Sequence, residues 1–178
     1  MLRSIRLIGL LILLVTAISC KKDPGYDLEP KITFVSISKT IEFDDTLQSN
    51  IDVIRIAVQF EDGDGDLGMD INQSIQEDDE FKNNYHYKVF KKVNGIFEPL
   101  DTLFGRFEPL APTVDYQGPI DGELVFNTSL SHADIPPIEE PNTKYFYNDT
   151  IKYVVSVIDR AHNKSNEVET GEIIIFQK

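Results

Sequence analysis

The segment IDVIRIAVQF, residues 51–60, is the part of the sequence that predicts the fold most clearly. Its apolar side chains recur at every second position, and polar residues such as Arg55 and Gln59 stand between them. An alternation with a period of two is typical of a β-strand that buries one face and exposes the other. The apolar residues in this register are Ile54, Ile56, Val58 and Phe60.

Similar patterns elsewhere predict an all-β chain. Segment 151–158 shows the same alternation from Tyr153 to Val157, and other stretches are rich in Val, Ile, Phe, Tyr and Thr, which favour strands. No part of the chain has a convincing helical stripe, although 71–81 or 132–140 could hold a short turn of helix. The further predicted strands are 32–43, 85–93, 122–130 and 172–177.

The dipeptide Asn94-Gly95 predicts a tight hairpin, because a type I′ turn requires positive φ at both central positions. Pro99 in the returning arm has no N–H to donate, which favours an edge strand. Longer loops are predicted at 69–84, 105–121 and 131–149.

About seven short strands without helices, in roughly 145 residues, favour an antiparallel sandwich. We therefore predict an all-β, immunoglobulin-like β-sandwich with long loops over residues 31–178. Residues 20–30 precede it as a flexible tether, since they combine charge with Pro and Gly. The chain has a single cysteine, so packing or a metal, and not an internal disulfide, must stabilise the domain.

The N-terminus predicts export and lipid attachment. Arg3 and Arg6 precede an apolar segment at 7–18, and Cys20 follows this segment after one residue. The arrangement resembles a bacterial lipoprotein signal, in which residues 1–19 are removed and the cysteine is acylated. A dozen apolar residues cannot cross ~30 Å of hydrocarbon, so a transmembrane anchor does not fit. An ordinary cleaved secretion signal stays open as the alternative.

The residues after the cysteine indicate which membrane holds the protein. Lys21 and Lys22 follow Cys20, so the Asp that serves as an inner-membrane retention cue in enteric bacteria is absent. We therefore expect a lipoprotein of the cell envelope, anchored in the outer membrane and facing either the periplasm or the exterior.

The exported part is strongly acidic. Residues 1–19 contain two of the 17 basic residues and none of the 30 acidic residues, which leaves a formal net charge of −15. This charge opposes binding to nucleic acid or to an anionic lipid surface. It suits a soluble domain beside a membrane, or a domain that binds cations.

Strand 51–60 leads into the acidic sequence EDGDGDLGMD at 61–70. Alternate carboxylates separated by glycines form a compact, oxygen-rich loop, and calcium requires six to eight oxygen ligands. The loop is not an EF-hand, because Leu67 and Gln73 stand where that motif has Gly and Glu. A solvated turn that holds another ion or none is the alternative. The predicted calcium ligands of this loop are Asp62, Asp64, Asp66 and Asp70.

A second loop, DRAHNKSN at 159–166, is expected to meet the acidic loop. In an immunoglobulin-like sandwich, the loop after the second strand and the loop before the last strand lie at the same end. Asp159 or Asn163 would then complete the calcium site, and Asp159 has the inward parity of Tyr153. The alternative is an ordinary polar hairpin capped by Asp and Asn.

The two loops carry a family resemblance. The sequence FEDGDGDLG after a strand, and VIDRAHNKSNEV near the C-terminus, resemble lipoproteins of Bacteroidota that contain immunoglobulin-like or cadherin-like β domains. In those domains a D-x-x-x-N-x-S-N turn precedes the last strand. The resemblance implies an envelope lipoprotein with a β-sandwich, and it implies no particular activity.

No enzyme signature is present. The sequence lacks a G-x-S-x-G elbow, a phosphate-binding loop and a dinucleotide fingerprint, and His86, His132 and His162 do not have metal-ligand spacing. We therefore expect a non-enzymatic accessory or binding module with an envelope protein or a glycan as its partner. The alternative is a glycan-binding lipoprotein of a polysaccharide-uptake system. Tyr145-Phe146-Tyr147 could stack on sugars, although packing at the start of a strand is the favoured interpretation.

Three Asp-Thr-aliphatic sequences predict O-glycosylation, because they match the acceptor pattern attributed to envelope proteins of Bacteroidota. The alternative is that Asp-Thr simply opens a strand after a turn. The three threonines are Thr46, Thr102 and Thr150.

One mass measurement tests both predicted modifications. The natively exported protein should start at Cys20 and carry two or three acyl chains. These chains would anchor it, because each methylene that they bury in the membrane adds about 0.8 kcal/mol of affinity. It should also carry a hexose series on the threonines. An intact mass equal to that of the bare polypeptide would contradict both expectations. In cell fractionation, a Cys20→Ala variant should no longer be found with the membranes.

Overall fold

The structure, a computed structural model, describes residues 25–69, 82–113, 115–135 and 144–177. Within these ranges the chain is all-β, with one 3-10 helix at His132–Asp134. Eight strands follow in chain order: β1 (Lys31–Asp44), β2 (Ser49–Asp62), β3 (Tyr85–Val93), β4 (Ile96–Gly105), β5 (Ile120–Ser131), β6 (Thr150–Val157), β7 (Val168–Glu169) and β8 (Ile173–Ile174).

The strands form two sheets, and every pairing is antiparallel. One sheet has the order β1-β2-β5, and the other has the order β4-β3-β6-β7 with β8 also paired to β6. This is the arrangement of an immunoglobulin-like sandwich, so the predicted fold class is confirmed.

The last strand differs from its prediction. Instead of one strand at 172–177, two strands of two residues each pair with separate parts of β6. Thr170 lies between them, and its Oγ1 accepts the N–H of Tyr153 at 3.0 Å, a bond that a backbone carbonyl would normally accept. The side chain thus interrupts the ladder, a feature that strand propensity does not encode.

The core lies between the two inner faces, where β2 and β6 contribute the alternating residues that their sequences predict. Tyr153 at the centre of β6 is fully buried, and so is Ile56 at the centre of β2. The largest buried side chains are Tyr153, Phe176, Ile32, Ile54, Ile56, Leu67, Ile151, Ile175, Val58, Val89, Val155 and Val157.

The hairpin between β3 and β4 forms as predicted. Asn94 has φ of 51° and Gly95 has φ of 86°, the signs that a type I′ turn needs. Strand β4 is an edge strand, and its Pro99 lies opposite Phe90, next to an irregularity in the ladder. The missing N–H of the proline is tolerated at this place, because edge strands bond on one side only.

A buried ionic cluster closes the end of the sandwich where β2 begins. The carboxylate of Asp52 is fully buried, and it accepts the backbone N–H of Phe176. It also lies 3.1 Å from Nε2 of His132 and 3.5 Å from the ammonium of Lys39. Asp52 therefore ties β1, the 3-10 helix and the C-terminal segment to β2, a role that the sequence did not indicate.

Replacing Asp52 with alanine should strongly destabilise the domain. The substitution leaves buried donors without their acceptor, and breaking a buried pair on one side typically costs about 3–5 kcal/mol. Urea unfolding measures this change, with Asp45→Ala in the exposed β1–β2 turn as the matched control that should have almost no effect. If Asp52→Ala lowers the free energy of unfolding no more than the control does, this role of Asp52 is refuted.

Candidate metal centre

The acidic loop begins where β2 ends. Asp62 is the last residue of β2, and its side chain lies on the inner face with no exposure to solvent. Its Oδ2 accepts the backbone N–H of Leu67 at 3.2 Å, which turns the chain back on itself. The loop therefore carries its carboxylates inward, towards the end of the core.

Glycines allow this loop to pack tightly. Gly65 has φ of +74° and Gly68 has φ of +100°, values that favour glycine. A Cβ at Gly65 would lie 2.6 Å from the carbonyl oxygen of Gly118, and one at Gly68 would meet the backbone of Glu108. The alternating glycines thus serve close approach to the segment 106–119 as well as the turn itself.

Hydrogen bonds fix the acidic loop to this segment. The N–H of Gly118 donates to the carbonyl of Asp64 at 3.2 Å. The N–H of Leu110 donates to Leu67 at 3.1 Å, and the N–H of Met69 donates to Phe107 at 2.9 Å. These backbone bonds hold the loop from one side.

The loop after β6 contacts the acidic loop from the other side, as the sequence predicted. Asp159 is almost fully buried and forms an isolated antiparallel bridge with Leu67. The N–H of Ala161 donates to Oδ2 of Asp66 at 2.9 Å, and the N–H of Arg160 donates to the carbonyl of Asp66 at 3.4 Å. The two loops thus meet at one end of the sandwich.

The N-terminal segment also reaches this end. A Cβ on Gly63 would lie 2.5 Å from the carbonyl oxygen of Tyr26 and 2.6 Å from that of Asp27. Pro30, the last residue of the predicted tether, is buried. Tyr26, Asp27 and Pro30 therefore contact the sandwich, whereas the side chains of residues 27–29 stay exposed.

Three carboxylates converge in the middle of these segments. Asp62, Asp64 and Asp66 each present one oxygen, and the three oxygens lie within 4.8 Å of one another. The Oδ1 atom of each is buried and has no hydrogen-bond partner among the described residues. Buried polar atoms normally have partners, so three unmatched oxygens facing the same point indicate a group that could bind a metal ion.

The electrostatics of the site agree with this geometry. Burial raises the pKa of Asp62 to about 6, with further contributions from the charges of Asp64 and Asp159. Burial likewise raises the pKa of Asp66 to about 6, and the nearby charge of Arg160 only partly opposes the effect. Without a cation, these carboxylates disfavour their own ionised form.

The other predicted ligands have different positions. Both oxygens of Asp159 accept hydrogen bonds from Asn163, at 2.7 Å from its N–H and 2.9 Å from its Nδ2. Asn163 therefore orients Asp159, and Asp159 is not one of the three converging carboxylates. Asp70 lies outside the described residues, as does Cys20.

The predicted glycosylation and stacking residues lie away from this end. Thr46 in the β1–β2 turn and Thr102 on edge strand β4 are exposed, whereas Thr150 is half-buried at the start of β6. Tyr145 is half-buried, and its ring packs 6.1 Å from that of Phe176. Residues 145–147 nevertheless precede β6, which begins at Thr150, and Tyr147 is exposed, so the predicted strand start at these aromatic residues is wrong.

A cleft of about 690 Å³ lies beside the three carboxylates, and the sequence did not indicate it. Residues 115–118 form one of its walls, although their composition only predicts a loop. The cleft depends on how loops that are distant in sequence pack together, so no local sequence pattern predicts it. Its polar and aromatic lining includes Asp64, Asp66, Asp115, Tyr116, Gln117 and Arg160.

Comparisons with protein-family models, with curated proteins and with solved structures give no match for this chain. Among the described residues, no helix has the length and apolar character needed to span a membrane.

The metal-free protein should lose stability as the pH rises through the pKa values of the site. Asp62 and Asp66 titrate near pH 6 when folded and near 3.8 when unfolded, so the folded state binds more protons between these values. Their contribution is fully present below about pH 4 and lost above about pH 6, with each pKa unit equivalent to about 1.4 kcal/mol.

Urea unfolding in chelator at a series of pH values measures this effect. The double variant Asp62→Asn, Asp66→Asn serves as the reference, because amides do not titrate and every other carboxylate is unchanged. The difference in unfolding free energy between the native protein and this variant should shift across the pH 4 to 6 window in favour of the variant. A difference that stays constant with pH would contradict the electrostatic description.

Proposed function

We propose that this protein is a non-enzymatic calcium-binding module of the cell envelope, held at the outer membrane by lipid on Cys20. The observation that carries the calcium site is the set of three buried, unmatched Oδ1 atoms of Asp62, Asp64 and Asp66. The lipoprotein-type signal and the acidic composition support the location.

The donor set favours calcium over other ions. Its protein ligands are all oxygens, which suit hard cations, whereas zinc and copper sites typically include nitrogen or sulfur. Calcium accepts six to eight oxygens in flexible geometry, while magnesium demands a near-ideal octahedron and retains several waters. A loop of Asp and Gly residues fits the more permissive ion.

In this proposal the ion serves as a structural clamp. It neutralises repulsion among the carboxylates and stabilises the loop that contacts the N-terminal segment, segment 106–119 and the loop at 159–166. The segment from Gly25 to Pro30 reaches the same end of the sandwich and leads back to the predicted lipid anchor. Calcium would then fix the domain surface nearest the membrane, where an envelope partner can bind.

Calcium should raise the melting temperature. A ligand that binds only the folded state stabilises it by about 2.7 kcal/mol when its free concentration is a hundredfold above Kd. For a domain of this size that corresponds to a rise of about 5–10 °C. Calorimetry with added calcium, magnesium or EGTA measures the response, and magnesium should give the smaller rise.

Matched variants connect the response to the site. Asp64→Asn should remove most of the rise with calcium, whereas Asp45→Asn in the exposed β1–β2 turn should keep it. If the melting temperature of the native protein is the same in calcium and in EGTA, the acidic loop is a plain turn and the proposed calcium function is wrong.

A further inference from the structure

The cleft beside the metal centre shares two residues with it. Asp64 and Asp66 belong to the three converging carboxylates and also line the cleft. The second observation that points to a ligand is Asp62, which is fully buried and whose Oδ1 faces this group without a partner among the described residues. An ion held by these carboxylates would therefore lie in the wall of the cleft.

The ion needs more ligands than the three carboxylates provide. Calcium binds six to eight oxygens, and each aspartate presents one oxygen to the common point. The Oδ2 atoms of Asp62 and Asp66 already accept backbone hydrogen bonds, from Leu67 and Ala161. Oxygen atoms from the cleft side can complete the shell.

An aromatic ring is held rigidly in the same cleft. Tyr116 is half-buried, and its hydroxyl donates to the carbonyl of Pro119 at 3.0 Å. Its ring packs against the loop so closely that a Cβ on Gly65 would lie 2.9 Å from Cδ1. A fixed ring of this kind supplies an apolar surface at little entropic cost on binding.

The charges of the lining select for a neutral ligand. Three aspartates line the cleft beside one arginine, and Arg160 donates from Nη1 to the carbonyl of Gly68 at 3.2 Å and lies close to Asp66. An anion would meet uncompensated negative charge at Asp115. Once an ion neutralises the other carboxylates, Asp115 and Gln117 remain as acceptors and donors, which match hydroxyl groups.

We propose that this cleft binds a neutral carbohydrate, whose adjacent hydroxyl oxygens complete the coordination of the ion while its ring lies against Tyr116. The volume of about 690 Å³ lies within the range of small-molecule sites. The inference rests on the proposed calcium function, because without the ion the cleft is too acidic and lacks the group that would receive the hydroxyls. It places sugar recognition at the cleft and not at Tyr145-Phe146-Tyr147.

An array of neutral and acidic glycans, probed with the full exported chain in calcium and in EGTA, tests this proposal. We expect binding to one or more neutral glycans in calcium and a loss of about tenfold or more in EGTA. Gln117→Ala and Asp115→Asn should weaken glycan binding by a similar factor. Both variants should keep the rise of melting temperature with calcium, since neither residue belongs to the three carboxylates. Asp45→Asn should change neither property.

The outcomes separate the two proposals. A melting temperature that responds to calcium, together with no neutral glycan bound in calcium, overturns the carbohydrate site and leaves the calcium function intact. Glycan binding that persists in EGTA, or that is confined to acidic glycans, also overturns the site described here. If calcium changes neither the melting temperature nor glycan binding, both proposals are wrong.

Discussion

The structure depends on how a sandwich with a strongly acidic sequence accommodates aspartates at the end of its core. Asp62 is fully buried beside the half-buried Asp64 and Asp66, and the Oδ1 atoms of the three carboxylates find no donor among the described residues. Coulomb repulsion at such distances is large when water does not screen it. Either protons or a cation must compensate, and at neutral pH a cation is the more effective of the two.

A buried aspartate lies near each end of strand β2, and the two carboxylates differ in the partners that compensate their charge. At the beginning of the strand, Asp52 is fully buried and receives the N–H of Phe176 together with contacts from His132 and Lys39. At its end, Asp62 receives backbone N–H groups on one oxygen only. The carboxylate at the first end therefore has its partners within the chain, whereas the second end holds a group of carboxylates that could bind a metal ion.

The sequence predicts local structure well where one short pattern decides it. The alternation at 51–60 gives the central strand and its buried face, Asn94-Gly95 gives the turn, and the parity of Asp159 gives its burial. The features that the sequence does not predict depend on long-range packing. Thr170 interrupts the last strand by accepting a hydrogen bond from Tyr153. Residues 115–118 form a wall of the cleft beside the acidic loop, which is distant from them in the chain. The clustering of three carboxylates is predictable from their spacing, but their lack of partners is not.

The most direct test of the central claim is isothermal titration of the metal-free protein with calcium at two pH values. We expect one ion per chain and weaker binding at pH 5 than at pH 7, because burial raises the pKa values of Asp62 and Asp66 to about 6 and protons then compete with the ion for them. The variant Asp62→Asn, Asp64→Asn, Asp66→Asn should bind none. Absence of binding by the native protein at both pH values, or equal binding by the native protein and this variant, would contradict the account.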